Sequence, residues 1–299
     1  MPPSFSERRS DMPAIAIEAV SGVHPYGSPD ELHALLLAGA RPYAERGDGE
    51  CPPEAFAQVK ALGPSLRRTP RLARLALASL LQLPHFREGR PADAERCALV
   101  VATAFGSVKS TFDFMDSLLA DGPDMASPTA FSHSVTNMTA AMLGQHLGLS
   151  GPALTATDAG SGAFRAALVA AAGMLANGGV DRVFLCAVEE RHAPMDAVIA
   201  AAAADTPSPE GAIAFALSAP SGGEGPRFLV PPFGESSLGG IPRIPPAMDV
   251  YGPGTLALAW NCALTALSMR KEPSAQALCL AAADADERDG VLLVAGADS

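Results

Sequence analysis

Asp158, Gly160 and Ser161 fall in one short stretch that ends Ala159-Gly160-Ser161-Gly162-Ala163, between an apolar run closing at Thr157 and an alanine-rich run. A serine on a sharp strand-to-helix turn becomes a nucleophile when a base reaches its hydroxyl. The flanking positions are alanines, not the glycines of a G-x-S-x-G elbow. Ser161 therefore reads as the first turn of a helix, with Asp158 capping the free N–H groups. Gly160 reads on residue type as a tight-turn glycine.

Other reactive side chains are scattered. His133 lies in Phe131-Ser-His-Ser134 and reads as a loop residue; His146 lies in a Leu-rich helical run. Both read as hydrogen-bonded structural histidines. Glu189-Glu190-Arg191-His192 follows an apolar run, but its spacing does not suit a helical metal pair, and it reads as a solvated loop. Five cysteines (51, 97, 186, 262, 279) have no short spacing, so neither a zinc pattern nor a disulfide framework is expected. Cys97, Cys186 and Cys279 sit in strand-like runs as small core residues. Arg67, Arg68, Arg71 and Arg74 form the one strong basic run on a chain of net charge -11. Such a run either meets an acidic protein surface or opens a solvated helix. The acidic balance argues against nucleic acid.

The elements that must position these groups alternate. Strands are expected at Ala14–Val20, Cys97–Ala102, Ala153–Thr157 (buried), Arg182–Ala187 and Ala212–Ser218. Ser28-Pro29-Asp30-Glu31 has the form of a capping box opening a helix to about Leu37, and Thr69-Pro70 starts a helix through Leu80 by the same logic. Further helices are expected near Ser110–Leu119, Val135–Leu147 and Ser161–Ala176, with a loop carrying Gly122-Pro123 and Ser127-Pro128. This alternation predicts an α/β fold, a sheet covered by helices. Pro220–Pro253 is dense in proline and glycine and reads as irregular. A helix over roughly Gly254–Met269 and strands at Ala277–Ala283 and Val291–Ala295 close the chain. The amino terminus is polar, without an apolar signal segment, and no stretch suits a membrane span. A cytoplasmic setting is expected.

The order of elements over residues 13–219 resembles the amino-terminal half of a β-ketoacyl synthase. Ile15–Gly22 looks like its opening strand, Asp30–Gly39 like its first helix, and Glu210–Leu217 like the strand closing the first half. Asn137–Pro152 is the most specific piece, because it runs directly into the nucleophile strand. The resemblance implies a thiolase-like fold with a complete first half and a strongly reduced second half. Its divisions are a disordered tail (1–11), the synthase-like half (12–219), the irregular segment (220–253) and a carboxy-terminal remnant (254–299).

Counted from Gly151-Pro152, the family's catalytic cysteine falls on Gly160. The family also places two histidines in its second half, whereas the histidines here are 24, 33, 85, 133, 146 and 192. Gly252–Ala259 resembles the segment after the second histidine without that histidine. The shortened shape resembles the chain-length factors of type II polyketide and aryl polyene synthases. The implied function is a catalytically silent partner of a full-length β-ketoacyl-ACP synthase, working with an acyl carrier protein and without a cofactor or metal. Fatty-acid-like biosynthesis is a further setting. The partner interface would include Ala153, Leu154, Thr155, Ala156 and Thr157. The implied tunnel helix carries a gating position near Thr111, and Phe112 and Met115, three apart, share a face. These two either line a tunnel or pack in the chain's own core. In the family, the region of the basic run lies near the carrier-binding face. Two alternatives stand: an acyl transferase, hydrolase or decarboxylase using a non-standard residue, or a stand-alone acyl-thioester-binding module.

Overall fold

The computed structural model describes residues 14–38, 40, 49–158, 160–194, 196–197, 209–220, 225–229, 243–244, 255–271, 276–280 and 291–294. The side chain of Arg67 and the expected tail 1–11 lie outside the described residues, as does most of 220–253.

Three largely apolar runs lie next to one another in the sheet. Strands β1 (Ala14–Val23), β2 (Cys97–Thr103), β3 (Ala153–Thr157), β4 (Arg182–Glu189) and β5 (Gly211–Ser218) lie in the order β3-β2-β4-β5-β1. β2 is parallel to both β3 and β4, and β5 is antiparallel to β4 and β1. Strands buried on both faces read as continuous apolar runs, and β2, β4 and β5 do. Their side chains still sort with a period of two. Ala98, Val100 and Ala102 face one core with Val183 and Leu185; Cys97, Leu99 and Val101 face the other with Phe184 and Cys186.

Each face is covered by helices. Helix α1 (Pro29–Leu37) opens with the expected capping box, in which Ser28 and Glu31 bond reciprocally. After the short α2 (Ala57–Ala61), helix α3 (Arg71–Leu80) packs on β1, β4 and β5. Helices α4 (Val108–Asp121), α5 (Pro128–Ser134) and α6 (Met138–Leu147) follow β2, with α6 lying beside α3. Helix α7 (Gly162–Ala176) and helix α8 (Thr255–Lys271) cover the opposite face.

α8 is buried along most of its length, as suits a helix enclosed by protein. It touches β4 and β5 on one side and β8 (Gln276–Cys279) and β9 (Val291–Val294) on another. The sheet reaches those strands through β6 (Arg227–Leu229), which pairs with Ala14–Ala16 of β1; β7 (Arg243–Ile244) ends it, giving nine strands among the described residues. A register shift between Ile17 and Ala19 interrupts the pairing of β1 with β5, which runs from Ala16 to Val23. Such an irregularity bends a strand locally. Among the described residues no helix is long and apolar enough to cross a membrane.

Several expectations need correction. Thr69 does not cap α3: the N-cap is Pro70, and the Leu72 N–H is taken instead by the Glu190 carboxylate at 3.0 Å. The expected loop around Ser127-Pro128 contains α5, where the Ser127 hydroxyl accepts from the Ala130 N–H and Pro128 takes the first position. His133 thus lies in a helix. The expected helix from Val135 starts at Met138. β3, expected to be buried, is the sheet's edge and only half-buried. The Pro/Gly-rich segment is not irregular throughout, since β6 sits within it, between β1 and β9.

Candidate functional site

The turn that leaves β3 is built around close approaches. A side chain on Gly151 would collide with the carbonyl of Cys97, so the chain entering β3 lies directly against β2. At the far end, Gly160 has φ +58, a left-handed conformation that favours glycine. A β-carbon added there would meet nothing within 4 Å. The constraint at Gly160 is therefore backbone conformation rather than space. Ser161 follows at the N-cap of α7 with φ -78 and ψ -9, and its side chain makes no capping bond. Asp158 lies against Gly162, where its carboxylate would clash with an added β-carbon, at the amino end of α7. A carboxylate suits that end of a helix.

Among the described residues no histidine contacts the Ser161 hydroxyl. His133 is in the last turn of α5 and His146 in the last turn of α6, where burial lowers the pKa of His146. His24 packs against Trp260. The described residues contain no His/Cys/Asp/Glu group able to hold a metal. All five cysteines are buried and free. Burial pushes the Cys97 thiol up to about 11, and the Cys51 and Cys186 thiols higher still, so none presents a ready thiolate.

The buried carboxylates were not legible in the sequence. Glu189 ends β4 and Glu190 follows it, and each is 7% exposed, which corrects their reading as a solvated loop. Glu189 accepts from the backbone N–H groups of Ala104 and Phe105 and from the Thr103 hydroxyl at 2.9 Å. It thereby organises the loop between β2 and α4, while the Gly106 N–H donates to Thr103 Oγ1. Thr255, which begins α8, donates its hydroxyl to the Gly160 carbonyl at 3.0 Å. Burial raises the Glu189 carboxyl to about 7 against the pull of these donors, and burial raises Glu190 to about 7 as well.

Helix α4 stands out from the body. Phe112 is 38% exposed and Met115 43%, which excludes a place for them in this chain's own core. They sit on one face, and Phe112 meets His192 edge-on at 5.2 Å. Phe114 lies on another side, against Phe131 of α5. Thr111 is exposed, with its hydroxyl turned back to the Ser107 carbonyl. Leu119, Met125, Phe131 and Val135 extend the exposed apolar surface over α4 and α5. A cluster of this kind marks a surface that another molecule covers.

The basic run is divided by its packing. Arg68 is exposed. Arg71 is not a free surface cation: its guanidinium makes a two-pronged pair with the fully buried Glu210 and lies over the Phe56 ring at 5.3 Å. Glu210 also accepts from the Cys51 N–H. Arg74 points to a cavity beside α2.

Comparison with known proteins agrees with this architecture. The sequence matches the family described as "Beta-ketoacyl synthase, N-terminal domain" over residues 43–228, more than half of the chain. No curated protein matches it. Among solved structures, a chain of the ishigamide ketosynthase/chain length factor superposes with a TM-score of 0.67 at 18% identity, covering 94% of this chain and 98% of that one. A chain from the ketosynthase ApeO in complex with its chain length factor ApeC, from Xenorhabdus doucetiae, gives 0.61 at 17% identity, covering 94% and 99%. A chain from the AntDE:AntF assembly, a type II polyketide synthase acyl-carrier protein in complex with its ketosynthase, gives 0.68 at 11% identity, covering 95% and 99%. At these identities the likeness is one of fold, the thiolase-like ketosynthase fold. With residues 43–228 matching its amino-terminal domain and the sheet, the helices and the turn at Gly160 arranged as described, the chain belongs to the β-ketoacyl synthase family.

Proposed function

We propose that this chain is a catalytically silent partner of a complete β-ketoacyl-ACP synthase, of the chain-length-factor type, that shapes the tunnel holding the growing acyl chain. The observation that carries the reading is Gly160. The family resemblance puts the condensing cysteine there, and the residue present has no side chain to attack a thioester. Decarboxylation and thioester polarisation need further acid–base groups, and no histidine follows His192. Ser161 has no base at its hydroxyl among the described residues, which disfavours a replacement nucleophile.

Two surfaces support a partner. Among the described residues β3 is an end strand of the sheet with Ala153 and Thr157 exposed, so a second sheet edge can pair there. The apolar face of α4 supplies side chains that would reach the partner's tunnel, with Thr111, Phe112 and Met115 in the lining positions. The solved neighbours are ketosynthase assemblies with a chain length factor or an acyl-carrier protein. Polyketide or aryl polyene assembly is accordingly the proposed setting. Docking of the acidic carrier rests on Arg67 and Arg68, because Arg71 is committed to Glu210.

The test is co-expression of this chain with a candidate synthase and carrier protein. A heterodimer is expected, with product formed only when the synthase cysteine is intact. Product formation that survives loss of the synthase cysteine, or an acyl adduct on this chain, would overturn the reading.

A further inference from the structure

α4 carries the exposed apolar face, yet the helix itself is hardly embedded. Ser110 is its one buried residue. Its packing is on α5 and on the short turn Pro123–Met125. A helix that buries so little gains little orientation from core packing, so the segment joining it to the body sets its direction. That segment is residues 104–107, between the end of β2 and the start of α4.

One carboxylate organises the N–H groups of this segment. Those of Ala104 and Phe105 donate to Glu189. That of Gly106 donates to Thr103 Oγ1, whose own hydroxyl donates to Glu189 at 2.9 Å. Gly106 has φ +63, the left-handed turn by which the chain swings from strand to helix. Ser107, at the N-cap, adds no side-chain bond. Glu190, next in the chain, reaches a different element, the Leu72 N–H at the start of α3.

We infer that Glu189 is the positioning residue of α4, fixing through residues 104–106 the direction in which the helix presents Phe112 and Met115. Its bearing on product length rests on the synthase-partner reading; its hold on the helix does not.

The donors on Glu189 are neutral. The charged and titratable groups around it are Glu190, Lys109 and Glu210, which act on Glu190, the Arg191–Asp196 pair, and His192, which meets Phe112. Burial raises the Glu189 carboxyl to about 7, and opening the loop to water returns it towards the ordinary glutamate value of 4.5. Opening therefore becomes easier as pH rises from about 4.5 through 7.

Hydrogen exchange on the isolated chain at pH 6 and pH 8, corrected for the intrinsic change in rate, tests the inference. Amides of residues 104–107 should open about tenfold more readily at pH 8. Glu189→Gln, a neutral isostere of the protonated carboxyl, should remove the difference, and Glu190→Gln should leave it in place. In complex with a synthase, product length should differ between the two pH values with the native chain and stay constant with Glu189→Gln. The native chain decides alone should that variant fail to fold: equal opening at both pH values, or a difference confined to the start of α3, would overturn the inference. A pH response that persists in Glu189→Gln would also overturn it and assign the response to His192. The expected exchange with an unchanged product would overturn the tie to product length. Absence of any heterodimer would defeat the synthase-partner reading and leave the exchange result to decide for or against Glu189.

Discussion

Thr255 and Gly160 are joined by a hydrogen bond of 3.0 Å from the threonine hydroxyl to the glycine carbonyl, across 95 residues of sequence. Thr255 begins α8, so the turn to which the family resemblance assigns the nucleophile is tied to the start of that helix. This bracing holds the turn in place with a glycine at position 160. It accounts for a family scaffold that outlasts the chemistry proposed to have left it.

The isolated chain is expected to show no condensation and no acylation when incubated with an acyl-carrier thioester, read by intact-mass spectrometry. Gly160→Cys has room for its side chain but not a favoured backbone, and should cost about 1–2 kcal/mol of stability. It should not restore condensation, because the histidines would still be missing. Turnover by that variant alone would contradict the silent-partner reading.

Association with a synthase should depend on the open edge of β3. Charges introduced by Ala153→Asp and Thr157→Asp are expected to weaken the heterodimer at least tenfold, measured by size exclusion or light scattering. Both residues are exposed, so the melting temperature should shift little. Full-strength assembly by the double variant would move the interface elsewhere.

Product length is the readout for α4. In the reconstituted system Thr111→Trp should shorten the product, while Phe112→Ala or Met115→Ala should lengthen it. Truncating a core phenylalanine costs about 3–5 kcal/mol. Phe112 is exposed enough that its removal should cost under about 1 kcal/mol. An unchanged product distribution with normal complex formation would take this helix out of the tunnel.

Glu189 makes stability depend on pH. Its carboxyl is raised to about 7 in the folded chain by burial, so the folded state holds a proton that the unfolded chain releases near the ordinary glutamate value of 4.5. Stability should therefore fall as pH rises from about 4.5 through 7, by at most roughly 3 kcal/mol from this group. Glu190 acts in the same direction. Urea titrations at pH 5 and pH 8 should show this loss in the native chain and a smaller loss in Glu189→Gln. Equal slopes would mean that Glu189 stays ionised throughout.

The arginines of the basic run should separate. Arg71→Ala leaves the Glu210 carboxylate buried without its cation and should cost about 3–5 kcal/mol. Arg68→Ala should cost no more than about 0.5 kcal/mol, yet weaken carrier binding at low salt. A carrier affinity unmoved by Arg68→Glu would remove this surface from docking.

How much of this was legible depended on the range of the interactions. β2, β4 and β5 could be read because apolar runs of strand length carry their own signature. The Ser28 box could be read because all its partners lie within four residues. Glu189 and Glu190 could not, because a Glu-Glu-Arg-His stretch has the composition of a solvated loop. The donors that bury them belong to residues 72 and 103–105, far away along the chain. The same holds for Arg71, whose partner Glu210 is 139 residues distant. The turn at Gly160 was found by counting along a family pattern, and its left-handed backbone then gave a local reason for glycine.

The enclosure of α8 bears on how the polypeptide is made. One face of the central sheet is roofed by a helix that leaves the ribosome only after residue 271. Until then the nascent chain displays β4 and β5 with half their covering absent, a condition that invites aggregation. Trp260, the single tryptophan, sits on that helix, fully buried and against His24 of the opening strand's end. Its fluorescence therefore reports when the roof closes.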